Sequence, residues 1–329
     1  MRDSGGFLGR RIVELLVERG DQVSFLARGR YPEVEALGAV GRSIDLRDAD
    51  AVRTAIAGAD VVHHVAGLAG FWGTREVFTS INVDGTRNVL DACLAGGVGR
   101  VVYTSTPSVI GYARDALGIE QAPYPERWES LYGETKARAE QLVRAANGSA
   151  LKTVAIRPHL VIGPRDNHLL PRVVARAKAS QLRIIGDGTN VVDLTYVDNA
   201  AWAHLDAADA LRDPASPAAG NAYFVSNDEP VVLWSWTNAL LERVGAPPVT
   251  RKIGLGAAKL LGGALEVAHR ALRLPGEPRM TRFLAVALAR SHWYSMAPAR
   301  RDFGYRVRVP MAEGTDRTVR WFVESSGVV

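Results

Sequence analysis

The sequence predicts an α/β fold in which a doubly wound parallel sheet is followed by a smaller, mainly helical C-terminal domain. Short apolar strands rich in β-branched residues alternate with helix-forming segments over the first half of the chain. A glycine turn opens the first helix, and few strand-like runs follow residue 223. Such alternation is typical of parallel βαβ units, and a glycine turn before the first helix is typical of their Rossmann-like form.

The predicted elements follow one another along the chain. We expect helices at residues 5–20, 49–56, 76–94 and 132–146, and strands at residues 22–27, 42–46, 60–65, 100–104 and 153–156. The alternation loosens after Pro158. We therefore predict a dinucleotide-binding domain over residues 1–222, with substrate-domain insertions around residues 165–190, and a substrate-binding lid over residues 223–329.

Composition and charge exclude several classes of protein. Apolar residues make up 47% and charged residues 23% of the 329 residues, which is ordinary for a soluble globular protein. The 40 basic and 35 acidic residues are mixed, and no basic run carries interleaved aromatic residues, so we expect no nucleic-acid partner. One cysteine, Cys93, and the lack of a signal-peptide pattern favour a reducing cytoplasm.

Residues 101–141 carry the side chains that we expect to perform chemistry. An apolar strand leads into several hydroxyl residues, and in the helix that follows, Tyr132 and Lys136 lie four residues apart on one face. A phenol ionises near pH ~10, and a neighbouring ammonium lowers that pKa. We predict that Tyr132 is the acid or base for a carbonyl oxygen, that Lys136 tunes it, and that Thr106 positions the substrate.

Eight segments give a more specific indication than any single motif. They are GGFLG (5–9), RGRYPEVEALG (28–38), NVDGTRNVLDAC (82–93), YTSTPSV (103–109), YGETK (132–136), IRPHLVIGP (156–164), DLTYVDNAAWAHL (193–205) and HWYSMAPARRDFGY (292–305). With these segments in this order, the chain resembles the extended short-chain dehydrogenase/reductases, in their 3β-hydroxysteroid dehydrogenase-like branch. The resemblance spans nearly the whole chain.

The resemblance implies roles for further residues. The substrate-positioning hydroxyl of the family falls three residues before a valine, here Val109, which selects Thr106 and leaves Ser105 as the alternative. Asn82 would support the water network of the active site. The residues around the cofactor would be Asp45 and Leu46 at the adenine, Ala66 and Gly67 past the ribose, and Pro158 and Val161 behind the nicotinamide.

The glycine turn predicts where a pyrophosphate binds. Gly6, Phe7, Leu8 and Gly9 fit the last two glycines of the family pattern and the residues between them, before a helix N-terminus. Asp3 stands where the first glycine would be, and no residues for the preceding strand are present. We expect roughly ten upstream residues, apolar and β-branched, to belong to the working protein. The alternative is a degraded enzyme.

The residues after the next strand predict which dinucleotide binds. NAD-preferring folds place a carboxylate here, on the ribose hydroxyls. This chain instead carries Arg28 and Arg30, and arginine binds phosphate in a bidentate way. We therefore predict NADP(H), and keep NAD(H) with two ordinary surface arginines as the alternative.

Histidines do not predict a metal site. His63 and His64 are adjacent on a strand and point to opposite faces, so they cannot hold one ion together. No cluster of Cys, His and Asp has ligand spacing, and we expect no metal. His159 follows Pro158 near the predicted nicotinamide, where it contacts the substrate or serves only the structure.

Apolar residues of the lid predict a bulky apolar substrate. They are Leu255, Leu260, Leu261, Leu265, Ala268, Leu272, Leu284 and Leu288. Charges interrupt segment 253–276, which is therefore no spanning helix. We favour a helix that covers the substrate over one that rests on a membrane. The expected partners are a small apolar keto/hydroxy substrate, a membrane surface in peripheral contact, and a second copy of the chain.

The leading functional hypothesis is an NADP(H)-dependent oxidoreductase. It would interconvert a ketone and a secondary alcohol on a substrate such as a 2-alkyl-3-oxo acid or a 3β-hydroxysteroid. The first alternative is a nucleotide-sugar epimerase or dehydratase, for which Arg251, Arg279 and Arg282 would hold the diphosphate. The second is a dinucleotide-binding protein without catalysis.

Overall fold

The computed structural model describes residues 6–112, 114–166 and 169–326, and helices alternate with strands through the first half of this range. The helices of that half are α1 (Phe7–Glu18), α2 (Pro32–Glu35), α3 (Ala49–Ile56), α4 (Arg75–Thr79), α5 (Gly85–Ala95) and α6 (Leu131–Ala145). The strands are β1 (Ser24–Ala27), β2 (Val40–Ser43), β3 (Val61–His64), β4 (Arg100–Thr104), β5 (Ala116–Ile119) and β6 (Lys152–Pro158).

The second half contains longer helices and shorter strands. Its helices are α7 (Leu169–Lys178), α8 (Val197–Ala210), α9 (Leu233–Arg243), α10 (Leu255–Ala271), α11 (Arg282–Ala287), α12 (Ala297–Phe303) and α13 (Met311–Ser326). Its strands are β7 (Val161–Ile162), β8 (Ile184–Ile185), β9 (Val191–Val192), β10 (Thr195–Tyr196), β11 (Ala222–Val225), β12 (Val231–Val232), β13 (Lys252–Ile253) and β14 (His292–Tyr294).

A four-stranded parallel sheet in the order β11-β6-β4-β3 forms the centre of the molecule. Its middle strands are apolar because both of their faces are covered. Val101 and Tyr103 of β4 pack against α3, α5 and α6, whereas Val102 packs against α8 and α12. Helices therefore cover both faces of the sheet, as the doubly wound prediction requires.

Strands β1 and β2 form a separate parallel pair. Within the described residues, β1 and β3 each end a sheet and do not pair with one another. The predicted absence of a first strand and the replacement of a glycine by Asp3 concern residues 1–5, outside the described part of the chain. Helix α1 packs on α8 through Ile12 and Leu15 of α1, against Ala200 and Leu205.

Two of the predicted element boundaries are wrong. The strand expected at residues 42–46 lies earlier, at Val40–Ser43, because it pairs with β1 in the register Ser24 to Val40. The single helix expected at residues 76–94 is interrupted by a turn of π-helix at Ser80–Asp84, which separates α4 from α5. Strand β4 coincides with its prediction, and α6 begins and ends within one residue of it.

The lid differs from expectation in the direction of its leucines. A second apolar cluster joins α7, α9, α10 and α11 around Val192, Trp234 and Leu241. Leu260, Leu261 and Leu272, expected to face a substrate, are exposed instead. The proposed domain boundary at residue 222 remains a prediction, and strand β11, which begins there, belongs to the central sheet.

Candidate active site

Thr106 and Tyr132 meet where β4 ends and α6 begins. Thr106 precedes the 3₁₀ turn Pro107–Ile110, and its hydroxyl accepts from the backbone amide of Ser108 at 3.3 Å. Helix α6 begins after Ser130, whose hydroxyl accepts from the Gly133 amide at 3.1 Å. That cap fixes the first turn of α6, in which Tyr132 lies. The Thr106 hydroxyl lies close enough to the Tyr132 phenol to act on its pKa.

Lys136 lies one turn further along α6 and is almost fully buried, with 4% of its surface exposed. Its Nζ donates to the carbonyl oxygen of Thr104 at 2.6 Å and lies 4.1 Å from the centroid of the Tyr103 ring. Burial lowers the pKa of Lys136 to about 7, although the charge of Glu140 opposes the shift. The amine therefore changes its charge near neutral pH.

The pKa of Tyr132 moves in the direction opposite to our expectation. Burial raises it, and the hydrogen bond from Thr106 only partly opposes that effect. The expected lowering by Lys136 is wrong for this structure because the ammonium is directed at the Thr104 carbonyl and loses its proton readily. A protonated phenol beside a hydroxyl is suited to donate a proton to a carbonyl oxygen.

Asn82 lies in the π-helical turn and joins three parts of the site. Its Nδ2 donates to the carbonyl oxygen of Leu68 at 3.2 Å and to Oγ1 of Thr135 at 3.1 Å. Its Oδ1 accepts from the amide of Leu68 at 2.7 Å. Turns of π-helix occur often at functional sites. Here the turn directs a buried amide side chain at the loop after β3 and at helix α6.

A chain of hydroxyls extends from Thr106 away from Tyr132. Thr106 Oγ1 donates to Ser108 Oγ at 3.3 Å, and Ser108 Oγ lies 3.2 Å from Tyr112 Oη. The Tyr112 ring lies 4.7 Å from His292 and 6.5 Å from His159, centroid to centroid. Sequence reasoning missed Tyr112 and His292, because only the fold brings them to Thr106.

His159 is 3% exposed, and its Nδ1 has no hydrogen-bond partner among the described residues. Burial is the main cause that lowers the pKa of His159 well below its usual value, with the charge of His292 adding to the shift. The ring is therefore neutral. Both readings of His159, as a substrate contact and as a structural histidine, remain predictions.

The first turn of α1 suits an anion. Gly6 precedes the helix, and no described side chain caps its N-terminus. A Cβ atom at Gly6 would meet no atom of the described residues within 4 Å, and one at Gly9 would meet only Val65, at 3.8 Å. Uncapped backbone amides and the helix dipole together favour negative charge at such a place.

Arg28 and Asp45 lie close together beyond the ends of β1 and β2. Arg28 and Arg30 are exposed, and Arg28 directly follows β1. Hydrogen bonds to Arg47 lower the pKa of Asp45 to about 2, and the charge of Arg28 contributes. The carbonyl oxygen of Leu46 accepts from Asn88 at 2.8 Å. The structure thus brings together the residues expected at the adenine and at the 2′-phosphate.

The loop after β3 approaches the catalytic side chains closely. Ala66 and Gly67 follow β3, and a Cβ atom at Gly67 would lie 3.2 Å from Asn82 Oδ1 and 3.7 Å from Lys136 Nζ. A side chain at residue 67 would therefore fill the space beside the Lys136 amine. Glycine here leaves room for a ribose to pass, which is the role that we predict.

Pro158 ends β6 and Val161 begins β7, on the same edge of the central sheet as Gly67 and Thr106. Between them, Leu160 has a φ of 41°, in the left-handed region. A non-glycine residue in that region costs about 1–3 kcal/mol and often marks a functional site. Ligands of open α/β sheets bind at this carboxyl edge.

Other sequence features lie apart from this site. Cys93 is buried on α5, and burial raises the pKa of its thiol to about 12. Arg282 is paired with Glu266, while Arg251 and Arg279 are exposed. Across residues 6–112, 114–166 and 169–326, no three His, Cys, Asp or Glu side chains are placed to hold a metal ion. In the same residues, no helix has the length and apolar character needed to cross a membrane.

Known sequences similar to this chain come from a dehydrogenase family and from two reductases. A model of the 3-beta hydroxysteroid dehydrogenase/isomerase family matches residues 3–253. The chain is 49% identical over 316 residues to the 2-alkyl-3-oxoalkanoate reductase of Stenotrophomonas maltophilia (strain K279a), a match that covers 95% of this chain and 96% of the relative. A 2-alkyl-3-oxoalkanoate reductase of Shewanella oneidensis is 44% identical over 322 residues, covering 95% and 83%.

A mammalian relative and two solved structures extend the comparison. The decarboxylating sterol-4-alpha-carboxylate 3-dehydrogenase of Mus musculus is 32% identical over 324 residues, covering 96% of this chain and 88% of its own. The crystal structure of gox2253 superposes with a TM-score of 0.77 at 24% identity, covering 97% and 96%. A double mutant of DesIV, a dTDP-glucose 4,6-dehydratase from Streptomyces venezuelae with NAD and DAU bound, gives 0.74 at 24%, covering 98% and 96%. These structural likenesses confirm the predicted fold class.

Proposed function

The chain belongs to the 3-beta hydroxysteroid dehydrogenase/isomerase family, and from this premise we propose that it is an NADP(H)-dependent oxidoreductase that interconverts a ketone and a secondary alcohol. The observation that carries the proposal is the approach of the Thr106 hydroxyl to the Tyr132 phenol, one turn of α6 from the buried amine of Lys136. A phenol and a second hydroxyl at one point can hold a carbonyl oxygen and protonate it.

The residues present fit a nicotinamide dinucleotide. The uncapped start of α1 would hold the pyrophosphate, Gly67 would let the ribose pass, and Pro158 and Val161 would lie behind the nicotinamide. When bound, the cofactor supplies or accepts the hydride at the substrate carbon. The protein orients the two reactants and moves the proton.

We assign the proton transfer to Tyr132. In the reductive direction, the Tyr132 hydroxyl donates its proton to the substrate oxygen while Thr106 holds that oxygen by a hydrogen bond. The Lys136 amine donates to the Thr104 carbonyl in this structure, so its proposed role of stabilising the phenolate that remains requires the protonated amine to turn toward Tyr132. Asn82 holds the loop after β3 against α6 and so keeps Gly67 beside Lys136. It is a positioning residue.

We further propose that the substrate is a 2-alkyl-3-oxo acid and that NADPH is preferred to NADH. Support for the substrate comes from two relatives whose names state this activity and which match almost the whole chain. Support for NADPH comes from Arg28 and Arg30 beyond β1, where the sequence of NAD-preferring folds carries a carboxylate instead. A cytoplasmic location and a homodimer remain predictions.

The test is NADPH oxidation with a 2-alkyl-3-oxo acid, measured for the parent, Tyr132→Phe and Tyr223→Phe. Loss of the general acid should lower kcat by about 10²–10⁴-fold. Tyr223 is the matched control, since its hydroxyl binds Asp302 and the carbonyl of Pro217, away from the site. Near-normal turnover of Tyr132→Phe would refute the assigned role. Turnover of a nucleotide sugar, with none of the oxo acid, would favour the epimerase alternative.

A further inference from the structure

Helix α10 turns an apolar face to solvent. Its outward residues have large exposed fractions, 77% for Leu260, 67% for Val267 and 69% for Leu272 just beyond the helix. Leu261 and Leu274 are also exposed. Single exposed leucines are ordinary on protein surfaces, but a run of them along one helix and the residues after it marks an interaction site.

The opposite face of α10 fastens the helix to the protein. Gly262 lies so close to α11 that a Cβ atom there would be 2.6 Å from the Thr281 carbonyl carbon. Glu266, four residues on, accepts from the Arg282 amide at 2.7 Å and from its Nε at 2.9 Å. Small and charged residues thus make these contacts, and only Leu255, at the start of the helix, adds a large apolar side chain to the clusters of described residues below. An ordinary surface helix packs its apolar face on the core, whereas α10 turns most of its apolar side chains outward.

Positive charge surrounds this apolar face. Between residues 251 and 282 the chain has seven basic residues, Arg251, Lys252, Lys259, Arg270, Arg273, Arg279 and Arg282, and two acidic ones, Glu266 and Glu277. Both acidic residues are already paired, Glu266 with Arg282 and Glu277 with Arg172. The remaining basic side chains on this segment are exposed. Exposed leucines with flanking cations match the anionic headgroups and acyl chains of a lipid surface.

Aromatic contacts connect this face to the catalytic side chains. His269 on α10 lies 6.0 Å from Trp72, and the Arg270 guanidinium lies 5.3 Å over the same ring. Next to Trp72, Phe71 contacts Phe283, which contacts Tyr112 of the hydroxyl chain that begins at Thr106. A line of aromatic side chains therefore connects the neighbourhood of α10 with the catalytic hydroxyls.

We propose that the outward face of α10 docks the protein on an anionic lipid bilayer, with Leu260 and Val267 inserted at the level of the headgroups and Lys259, Arg270 and Arg273 on lipid phosphates. The docking is inferred from the exposed apolar face and its charges alone, and does not depend on the proposed function. Docking there would also bring an apolar substrate to the line of aromatic side chains, an inference that rests on the proposed function.

The test is co-sedimentation of the full chain with vesicles of phosphatidylcholine alone and with added phosphatidylglycerol. We expect binding only to the anionic vesicles, weakened by salt. The variant Leu260→Glu/Val267→Glu should bind at least about tenfold more weakly, because two inserted apolar side chains are lost. Leu94→Glu, on α5 and 49% exposed, is the matched control and should bind like the parent. Circular dichroism spectra establish that both variants are folded.

Three outcomes would overturn the proposal. They are no binding of the parent to anionic vesicles, equal binding of the parent and the α10 variant, and an equal loss in Leu94→Glu. Analytical ultracentrifugation of the same proteins without lipid tests the competing occupant, a second copy of the chain. A parent dimer that fails to bind vesicles and becomes monomeric in the α10 variant would assign the face to self-association. None of these measurements requires substrate, so a failed activity assay leaves the result intact.

Discussion

Replacing Glu140 by Gln should destabilise the protein strongly, because it leaves a buried positive charge without its partner. Glu140 is fully buried on α6, and 5% of the Arg157 side chain is exposed. Arg157 Nε donates to Glu140 Oε2 at 2.9 Å, and Tyr124 Oη donates to Oε1 at 2.6 Å. Burial raises the pKa of Glu140, but Arg157 outweighs that effect and holds it below its usual value.

The magnitude follows from this geometry. Removing one partner of a buried ion pair typically costs about 3–5 kcal/mol, out of a total stability of about 5–15 kcal/mol. Gln fills the same volume as Glu, so a cavity adds little to the loss. Because the folded-state pKa of Glu140 is depressed, its contribution is present above the unfolded pKa of about 4.5 and is lost as the pH falls below it. The destabilisation should therefore be large at pH 7 and shrink in acid.

Urea denaturation measures the effect as a lower midpoint at an unchanged m-value. The double variant Glu140→Gln/Arg157→Gln removes both charges and is the control. It should recover part of the stability, with a coupling energy of about 0.5–3 kcal/mol. A loss of less than about 1 kcal/mol in the free energy of unfolding of Glu140→Gln would refute the reasoning, because an unpaired buried guanidinium destabilises a protein by more than that. Simple additivity of the two single variants would refute it as well.

Three further predictions concern the site. Lys136 binds its proton more weakly in the folded protein than in the unfolded chain. The free energy of unfolding of the parent should therefore rise between pH 7 and 10.5, by up to about 1.4 kcal/mol per pH unit. The urea midpoint of Lys136→Met should not show that rise. The parent's ratio of kcat/KM for NADPH to that for NADH should exceed about tenfold and fall in Arg28→Ala, whereas equal use of both cofactors by the parent would contradict the role of Arg28. Tyr112→Phe, which removes the hydroxyl next to Ser108, should lower kcat about 2–10-fold at unchanged cofactor affinity, and an unchanged kcat would show that Tyr112 does not support Thr106.

Local patterns predicted the central elements well. The buried part of strand β4 consists of two β-branched residues and an aromatic one, Val101, Val102 and Tyr103, and the bounds of the strand agree with the prediction. Helix α6 carries a capping serine and residues with high helix propensity, so its limits were also clear. Strand β2 was displaced because the run from Val40 to Leu46 mixes apolar and polar residues, and its place depends on register with β1.

Properties that depend on tertiary contacts were harder to predict. Spacing along a helix placed Tyr132 and Lys136 on one face, but the direction of the Tyr132 pKa shift depends on burial and on where the Lys136 amine points. Tyr112 approaches Thr106 through a loop whose path no local pattern gives. Helix α10 shows the same limit, since an amphipathic sequence does not say which face lies outward.

The π-helical turn at Ser80–Asp84 has a consequence for the phase of the helix that contains it. Phe78, Asn82 and Thr86 are all buried and are spaced four residues apart. In a regular α-helix, each step of four residues would turn the side chain about 40° further around the axis, so the three could not share one line. The wider turn absorbs this rotation, which lets Phe78 fill the core, Asn82 hold Leu68 and Thr86 bind His64 at 2.9 Å. Deleting one residue from the turn would remove the residue that widens it and restore a regular helix, with Thr86 still facing His64 but Asn82 no longer held in the widened turn.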